Sequence, residues 1–95
     1  MCFQKVPGKD CGHTIAIFAL STCGWCRKTK QYIEEHEISY EFVDVDRLRG
    51  EKLEKARSDV KKYNPRGSFP TIVIDQGKVV IIGYRPEEIK EALGI

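Results

Sequence analysis

Residues 14–26 read TIAIFALSTCGWC. The first half of this stretch, residues 14–20, is a nearly continuous apolar run with β-branched members, which is typical of a strand that is buried on both faces. The second half carries Cys23 and Cys26, and from about residue 24 to 37 a set of side chains recurs at intervals of three and four, which predicts a helix. The sequence therefore places two thiols at the junction between a buried strand and a helix.

The rest of the chain continues the alternation of strands and helices. We predict a strand over residues 39–45, a helix over 50–63, a hairpin of strands 71–75 and 78–82, and a last helix that begins at Pro86 and ends before Gly94. Because a strand–helix–strand unit needs a parallel, right-handed crossover, the order β-α-β-α-β-β-α predicts an α/β fold with a four-stranded mixed sheet flanked by three helices. Residues 14–95 form this domain, and residues 1–13 are predicted to be an irregular N-terminal arm.

Composition and charge exclude several classes of function. The 95 residues carry a formal net charge of +2, which is too small an excess for a nucleic-acid partner. The longest apolar run, residues 15–20, is too short to cross a membrane, and the first thirteen residues lack the apolar stretch of a signal peptide. We therefore expect a cytoplasmic monomer that keeps its thiols reduced.

One segment is more basic than the rest of the chain. Residues 47–66 carry eight basic and three acidic side chains. Two interpretations are open at this point: a solvated helix face, or a docking surface for an acidic partner protein.

The spacing of Cys23 and Cys26 indicates redox chemistry. Two intervening residues bring both sulfurs onto one helical turn, where they can form a disulfide, and the free amides of a helix N-terminus favour Cys23 as a thiolate. Arg27, Lys28 and Lys30 add positive charge, whereas Cys26 lies one turn deeper and is expected to stay protonated. Cys23 would attack a disulfide and Cys26 would resolve the mixed disulfide. The alternatives are a structural pair or half of a zinc site.

Two further features bear on the site. Pro70 begins a predicted strand, which fits an edge or mouth position because proline has no amide for the ladder; the alternative is a trans proline that merely ends the loop. Trp25 lies between the cysteines, where it either covers the sulfur and contacts partner proteins or faces the core.

On these residues the chain resembles the glutaredoxin branch of the thioredoxin superfamily, from about residue 14 to residue 95. The resemblance implies a thioredoxin-like fold in which Cys23 is the nucleophile, Cys26 the resolving cysteine of a redox-active disulfide, and Pro70 a cis-proline. It also implies that the backbone of Phe69 binds an extended substrate. The remaining predicted substrate-binding residues are Trp25, Thr71, Gly83 and Tyr84.

Within that branch, the motifs are closer to NrdH-redoxin than to glutathione-dependent members. Glutathione users carry a Lys three residues before the first Cys, a TVP triplet and a GG…D segment, whereas this chain has Leu20, SFP at residues 68–70 and IGYR at residues 82–85. Residues 83–87, GYRPE, resemble the GFRPD/E segment of NrdH-redoxins, which accept electrons from a flavin reductase and pass them to ribonucleotide reductase.

The resemblance thus implies a thiol–disulfide oxidoreductase, a dithiol electron carrier in cell redox homeostasis that needs no cofactor. Disulfide-containing proteins, with ribonucleotide reductase as a candidate, would be its substrates. A thioredoxin-reductase-like or ferredoxin-linked reductase would be its electron donor. The alternatives are a glutathione-dependent glutaredoxin, or an iron–sulfur or metal carrier that uses Cys23 with or without the arm cysteines.

Two cysteines of the arm, Cys2 and Cys11, have no place in that reaction. They could be exposed thiols without a task, or they could form a second disulfide that closes a short loop. A third interpretation is a zinc site made of Cys2, Cys11 and His13, although the spacing matches no common zinc pattern.

Overall fold

The computed structural model describes residues 3–95 and shows a five-stranded sheet with three α-helices. The elements are β1 (Gln4–Val6), β2 (Ile15–Ala19), α1 (Gly24–Glu35), β3 (Tyr40–Asp44), α2 (Gly50–Tyr63), β4 (Thr71–Ile74), β5 (Val79–Ile82) and α3 (Pro86–Leu93). Short 3₁₀ turns follow β3 and β4, at Val45–Arg47 and Asp75–Gly77. No helix in this part of the chain is long and apolar enough to span a membrane.

The sheet is mixed, with β2 at its centre and the order β1-β3-β2-β4-β5. β3 runs parallel to β2, as the crossover through α1 requires, and β4 and β5 add antiparallel strands on the other side. The predicted mixed topology of the four main strands is confirmed. Because β2 is the central strand, the loop that leaves its C-terminal end starts from the middle of the sheet.

The arm differs from the prediction of irregular structure, because Gln4–Val6 forms a fifth strand that pairs antiparallel with β3. Phe3 places its ring edge-on to Phe18, with the centroids 5.5 Å apart. The physical reason is the free outer edge of β3, whose unpaired backbone groups accept a strand from any adjacent segment. Three residues are too few to show the alternation by which a strand is recognised in a sequence.

Gly8 allows the arm to stay close to the start of β3. A Cβ atom at this position would lie 2.6 Å from the backbone carbon of Ile38 and 2.6 Å from the nitrogen of Ser39. Next to it, the Lys9 N–H donates to the Glu37 carbonyl at 2.6 Å, and the Ser39 N–H donates to the Lys9 carbonyl at 3.0 Å. The close approach of two backbones therefore requires glycine here.

The helices cover both faces of the sheet. On one face α1 and α3 pack against a cluster that includes Ile15, Ile17, Cys26, Ile33, Ile72, Ile74, Ile89 and Leu93. On the other face α2 packs against a cluster formed by Phe18, Val43, Val45, Ala56, Val60 and Val73. Full burial of one such aliphatic side chain contributes roughly 1.5–3 kcal/mol. The first of these two layers therefore fixes the orientation of α1, which carries both cysteines of the CGWC motif at its N-terminus.

The end of the arm is attached to the turn after β4. His13 Nδ1 lies 2.7 Å from Asp75 Oδ2, and the Thr14 N–H donates to Asp75 Oδ1 at 3.2 Å. The hydrogen bond from the His13 side chain is the main cause that lowers the pKa of Asp75, and the Thr14 amide acts in the same direction. Asp75 has a positive φ of 52°, a conformation that Asn and Asp tolerate better than other side chains.

We therefore predict that Asp75→Asn destabilises the fold in a pH-dependent manner. Asn preserves the shape and the tolerance of positive φ, so the change removes mainly the charge. The pKa of Asp75 is lower in the folded state than in the unfolded state. Its contribution to stability is therefore fully present above the unfolded-state pKa and is lost as the pH falls through the folded-state pKa. The thermal midpoint of the variant should lie a few degrees below wild type at pH 7 and approach wild type below about pH 4.

The measurement is thermal unfolding followed by circular dichroism between pH 3 and pH 7. Glu91→Gln is the matched control, because Glu91 is an exposed acid on α3. A pH-independent difference between Asp75→Asn and wild type would contradict the assignment.

Candidate active site

Cys23 is the N-cap residue of α1. Its backbone is extended, with φ −88° and ψ 116°, and its Sγ accepts a hydrogen bond from the Cys26 N–H at 3.2 Å. Ser, Thr, Asp or Asn usually supply the acceptor at this position, and here a half-buried sulfur does so. One N–H group and the positive end of the α1 dipole are therefore both directed at this sulfur.

Cys26 lies in a different environment. Its side chain is 1% exposed and belongs to the core cluster under α1. Burial is the first cause that raises the pKa of Cys26, to about 12, and its hydrogen bond and charge interaction with Cys23 raise it further; the Leu20 backbone and Lys30 act in the opposite direction. The two thiols, three residues apart, therefore lie in different environments, one half-buried and one buried.

The side chains of Lys28 and Lys30, which follow the CGWC motif, point in different directions. The Lys30 ammonium points inward, 3.3 Å from Asp44 Oδ1 and 3.9 Å from the centre of the Phe42 ring. The Lys28 ammonium instead lies over the exposed Trp25 ring, 5.0 Å from its centroid. Because Cys26 and Lys30 are four residues apart, Lys30 is the cation on the same face of α1 as Cys26.

The loop before Cys23 is held by the turn that follows β3. The Ser21 N–H donates to Asp46 Oδ1 at 2.8 Å, and the Ser21 hydroxyl donates to Asp46 Oδ2. These two hydrogen bonds, the hydroxyl's first, lower the pKa of Asp46. The sequence did not identify this pair, because the two residues are far apart along the chain and neither belongs to a motif.

The Phe69–Pro70 peptide bond is cis, the geometry that the family resemblance implies for Pro70. In the ladder between β2 and β4, Phe18 is opposite Thr71. Continuing that register places Pro70 level with Ala19, at the end of β2 from which the cysteine loop departs. The cysteine loop and the Phe69–Pro70 loop, both of which were selected from the sequence, therefore meet at the same edge of the sheet.

A buried amide holds the proline loop. Asn64 is fully buried, and its Nδ2 lies 3.1 Å from the Ser68 carbonyl oxygen and 3.1 Å from Thr71 Oγ1. Thr71 is also fully buried, and its hydroxyl donates to the Ser68 carbonyl at 2.8 Å. The side chain of Thr71 therefore holds the loop from inside, and the structure buries both Thr71 and Pro70 of the predicted substrate-binding residues.

A groove of about 300 Å³, the dithiol groove, lies beside the cysteines. It is lined by Trp25, Phe69, Ile82, Gly83, Tyr84 and Arg85. Four of the six predicted substrate-binding residues thus share one surface, and Ile82 and Arg85 are additions that sequence reasoning missed, although both flank the Gly83-Tyr84 pair that it selected.

Trp25 faces solvent and not the core. Its side chain is 59% exposed and stacks on Tyr84, with ring centroids 6.0 Å apart and an interplanar angle of 23°. Tyr84 in turn contacts Tyr32 edge-on at 6.5 Å. Of the two interpretations of Trp25, the structure favours the one in which it forms part of the contact surface.

Cys11, the arm cysteine that the structure describes, does not line the dithiol groove. It is half-buried, and its Sγ is 3.9 Å from the His13 carbonyl oxygen. Cys2 lies outside the described residues, so the predicted alternatives of a Cys2–Cys11 disulfide and a zinc site stay predictions. Among residues 3–95 there is no group of three His, Cys, Asp or Glu side chains placed to hold a metal ion.

Comparison with known proteins agrees with this geometry. The family model for glutaredoxin matches residues 15–80. A glutaredoxin-like 8.6 kDa protein in the rubredoxin operon of Clostridium pasteurianum is 32% identical over 79 residues, which cover 83% of this chain and 96% of that protein.

Solved structures add to the comparison. The glutaredoxin of Methanosarcina mazei superimposes with a TM-score of 0.87 at 39% identity, over 98% of this chain and 88% of that one. The NrdH-redoxin of Escherichia coli superimposes with a TM-score of 0.66 over 82% of this chain and 92% of that one, and at 24% identity this likeness shows the thioredoxin-like fold alone. With a CxxC motif at the start of α1 and a cis-proline beside it, the chain belongs to the glutaredoxin family of thiol–disulfide oxidoreductases.

Proposed function

We propose that this protein is a dithiol electron carrier that reduces disulfides in protein substrates, with Cys23 as nucleophile and Cys26 as resolving thiol. The observation that carries the proposal is the asymmetry of the pair. The Cys26 N–H is directed at a half-buried Cys23 sulfur, whereas the Cys26 sulfur is 1% exposed. Of the two sulfurs, the one of Cys23 is accessible to a substrate. The sulfur of Cys26 is placed to attack Cys23 afterwards, so that the reaction is completed within the protein.

In the first step the Cys23 thiolate attacks one sulfur of the substrate disulfide. A bond forms between Cys23 Sγ and that sulfur, the substrate S–S bond breaks, and the departing sulfur leaves with the electron pair and takes a proton from solvent. In the second step Cys26 loses its proton and attacks Cys23 Sγ, and the second substrate sulfur leaves as a thiol. In total, two electrons pass from the protein to the substrate, and the two protons come one from solvent and one from Cys26.

The environment of Cys26 favours this order of events. Two of the causes that raise the pKa of Cys26 depend on Cys23, namely their hydrogen bond and the negative charge of Cys23. Both disappear when Cys23 enters the mixed disulfide, while the opposing effects of Lys30 and the Leu20 backbone remain. Cys26 therefore becomes easier to deprotonate at the stage where its thiolate is needed.

The dithiol groove supports a polypeptide substrate. The residue before the cis-proline, Phe69, lines this groove together with the exposed Trp25–Tyr84 stack. Aromatic surface of this kind contributes much of the binding energy in protein contacts. We propose that a substrate segment lies between them, with its disulfide at Cys23.

For the electron donor we propose a flavin- or ferredoxin-linked disulfide reductase, as for NrdH-redoxins. Leu20 offers no positive charge where glutathione users carry a lysine, and the GYRPE segment begins in the groove at Gly83 and Tyr84. The relative from Clostridium pasteurianum is named for its place in a rubredoxin operon, which fits a role in electron transfer. A reducing cytoplasm is the compartment in which such a dithiol would work.

The first prediction concerns thiol reactivity. In a Cys2→Ser/Cys11→Ser background at pH 7, iodoacetamide should alkylate Cys23 at least tenfold faster than Cys26, because Cys26 is buried and its pKa is raised to about 12. Peptide mass mapping after timed quenching measures both rates. The same reaction in guanidinium chloride is the control, in which both cysteines should react at similar rates. Equal rates in the folded protein would contradict the proposed asymmetry.

The second prediction concerns the roles of the two cysteines. Cys23→Ser should reduce a protein disulfide no faster than background, whereas Cys26→Ser should still attack it and accumulate a covalent mixed disulfide. Non-reducing electrophoresis and intact mass detect that adduct. Cys11→Ser, which changes a half-buried thiol outside the site, should retain the wild-type rate. Wild-type turnover by Cys23→Ser would overturn the mechanism.

The third prediction concerns the source of electrons. The protein should turn over a disulfide substrate with a thioredoxin-reductase-type flavoenzyme or a ferredoxin-linked reductase, and at most one tenth as fast with glutathione and its reductase. Oxidation of NADPH or reduced ferredoxin gives the rate. Turnover with glutathione alone would assign the chain to the glutathione-dependent glutaredoxins. No turnover with any donor would favour the iron–sulfur or metal carrier.

A further inference from the structure

A second groove, the α2 groove, encloses about 410 Å³. Its apolar wall comes from α2 and from the loops that follow β2 and β3 and precede β4. The wall residues are Leu20, Val45, Leu53, Val60 and Phe69. Val45 and Val60 are buried and the other three are half-buried, so a side chain placed here would find a preformed apolar surface.

The rim of the α2 groove is basic. Arg57 and Lys61, one turn apart on α2, line it together with Arg66 from the following loop. All three side chains are exposed, and within residues 3–95 none of them forms an ion pair. On the same helix Lys55, outside the groove, is paired with Asp59 at 2.9 Å.

The one acid on the rim is already engaged. Asp46 accepts hydrogen bonds from both the amide and the hydroxyl of Ser21. Within residues 3–95 it forms no ion pair with Arg57, Lys61 or Arg66. From the sequence, the basic excess of residues 47–66 could be either a solvated helix face or a docking surface. In the structure it includes three unpaired charges around the apolar groove.

The α2 groove is continuous with the active site through one residue. Phe69 lines both the α2 groove and the dithiol groove. Leu20, also part of the apolar wall, accepts the Cys23 N–H at 3.1 Å through its carbonyl. A polypeptide whose disulfide is at Cys23 can thus extend past Phe69 into the α2 groove.

We propose that the α2 groove docks an acidic segment of the protein partner that exchanges disulfides with Cys23, with one apolar or aromatic side chain of that segment against Leu53 and Phe69. The proposal rests on the proposed function for its partner. Cations spread over a helical turn, about 6 Å apart along the axis, match successive carboxylates of a peptide better than a single small anion. Complementary charge also accelerates encounter and orients the partner.

The test uses two peptides that differ only in charge. Each carries a phenylalanine and one cysteine as a mixed disulfide with thionitrobenzoate, flanked by glutamates in one peptide and by lysines in the other. The second-order rate constant for release of the chromophore by the reduced protein is measured by stopped flow at low and high salt. Wild type should prefer the acidic peptide at least tenfold at low salt, and the preference should fall at high salt.

Matched charge reversals locate the effect. Arg57→Glu/Lys61→Glu should abolish the preference, whereas Lys52→Glu/Lys62→Glu, with the same change in net charge on the same helix but outside the groove, should retain it within about twofold. Far-ultraviolet circular dichroism of both variants controls for folding. Equal effects of the two variants, or no preference in wild type, would overturn the proposal.

Two further measurements separate this proposal from the proposed function. The rate at which hydroxyethyl disulfide, a small neutral substrate, is reduced should be the same in Arg57→Glu/Lys61→Glu as in wild type. If wild type does not reduce this substrate, the redox function alone is refuted. Fluorescence anisotropy of a labelled acidic peptide with Cys23→Ser/Cys26→Ser tests docking without redox chemistry. Displacement of that peptide by glutathione as effectively as by unlabelled peptide would show a small-anion site and overturn the protein-docking proposal.

Discussion

The hydrogen bond from the Cys26 amide to the Cys23 sulfur is the interaction on which the site depends. It caps α1, satisfies one of the free amides of the helix N-terminus, and places the two sulfurs in different environments with a single contact. A serine at position 23 would cap the helix equally well. Several residue types could therefore cap α1 at position 23. A cysteine there adds a reactive sulfur to the helix N-terminus.

The sheet holds the other half of the site in place. β2 and β4 are neighbours, so the end of one strand and the beginning of the next bring the cysteine loop and the Phe69–Pro70 bond to one edge. Asn64 and Thr71 then fix the proline loop from below through buried hydrogen bonds. This platform keeps the cysteine loop and the Phe69–Pro70 backbone side by side.

Much of this arrangement could be predicted from the sequence, because the elements from β2 to α3 each show their own period or end signal. Cys23, Cys26 and Pro70 could be selected because their spacing and their places beside strands have a direct chemical meaning. The direction of Trp25 could not, since it depends on stacking with Tyr84 from a distant segment. Thr71 was selected for its position after the proline, but strand pleating and Asn64 turn its side chain inward. The strand β1 was missed because its pairing depends on the free edge of β3 and not on its own pattern.

Gly8 has a consequence for how the protein behaves at high concentration. The outer edge of β3 is covered only as long as the arm lies against it, and the arm can do so because position 8 has no side chain. The new edge that β1 presents is three residues long and is followed by Pro7, which has no amide to offer to an incoming strand. Self-association by strand pairing is thus suppressed on this side of the sheet, and a single methyl group at position 8 would be enough to uncover a longer, flatter edge to neighbouring molecules.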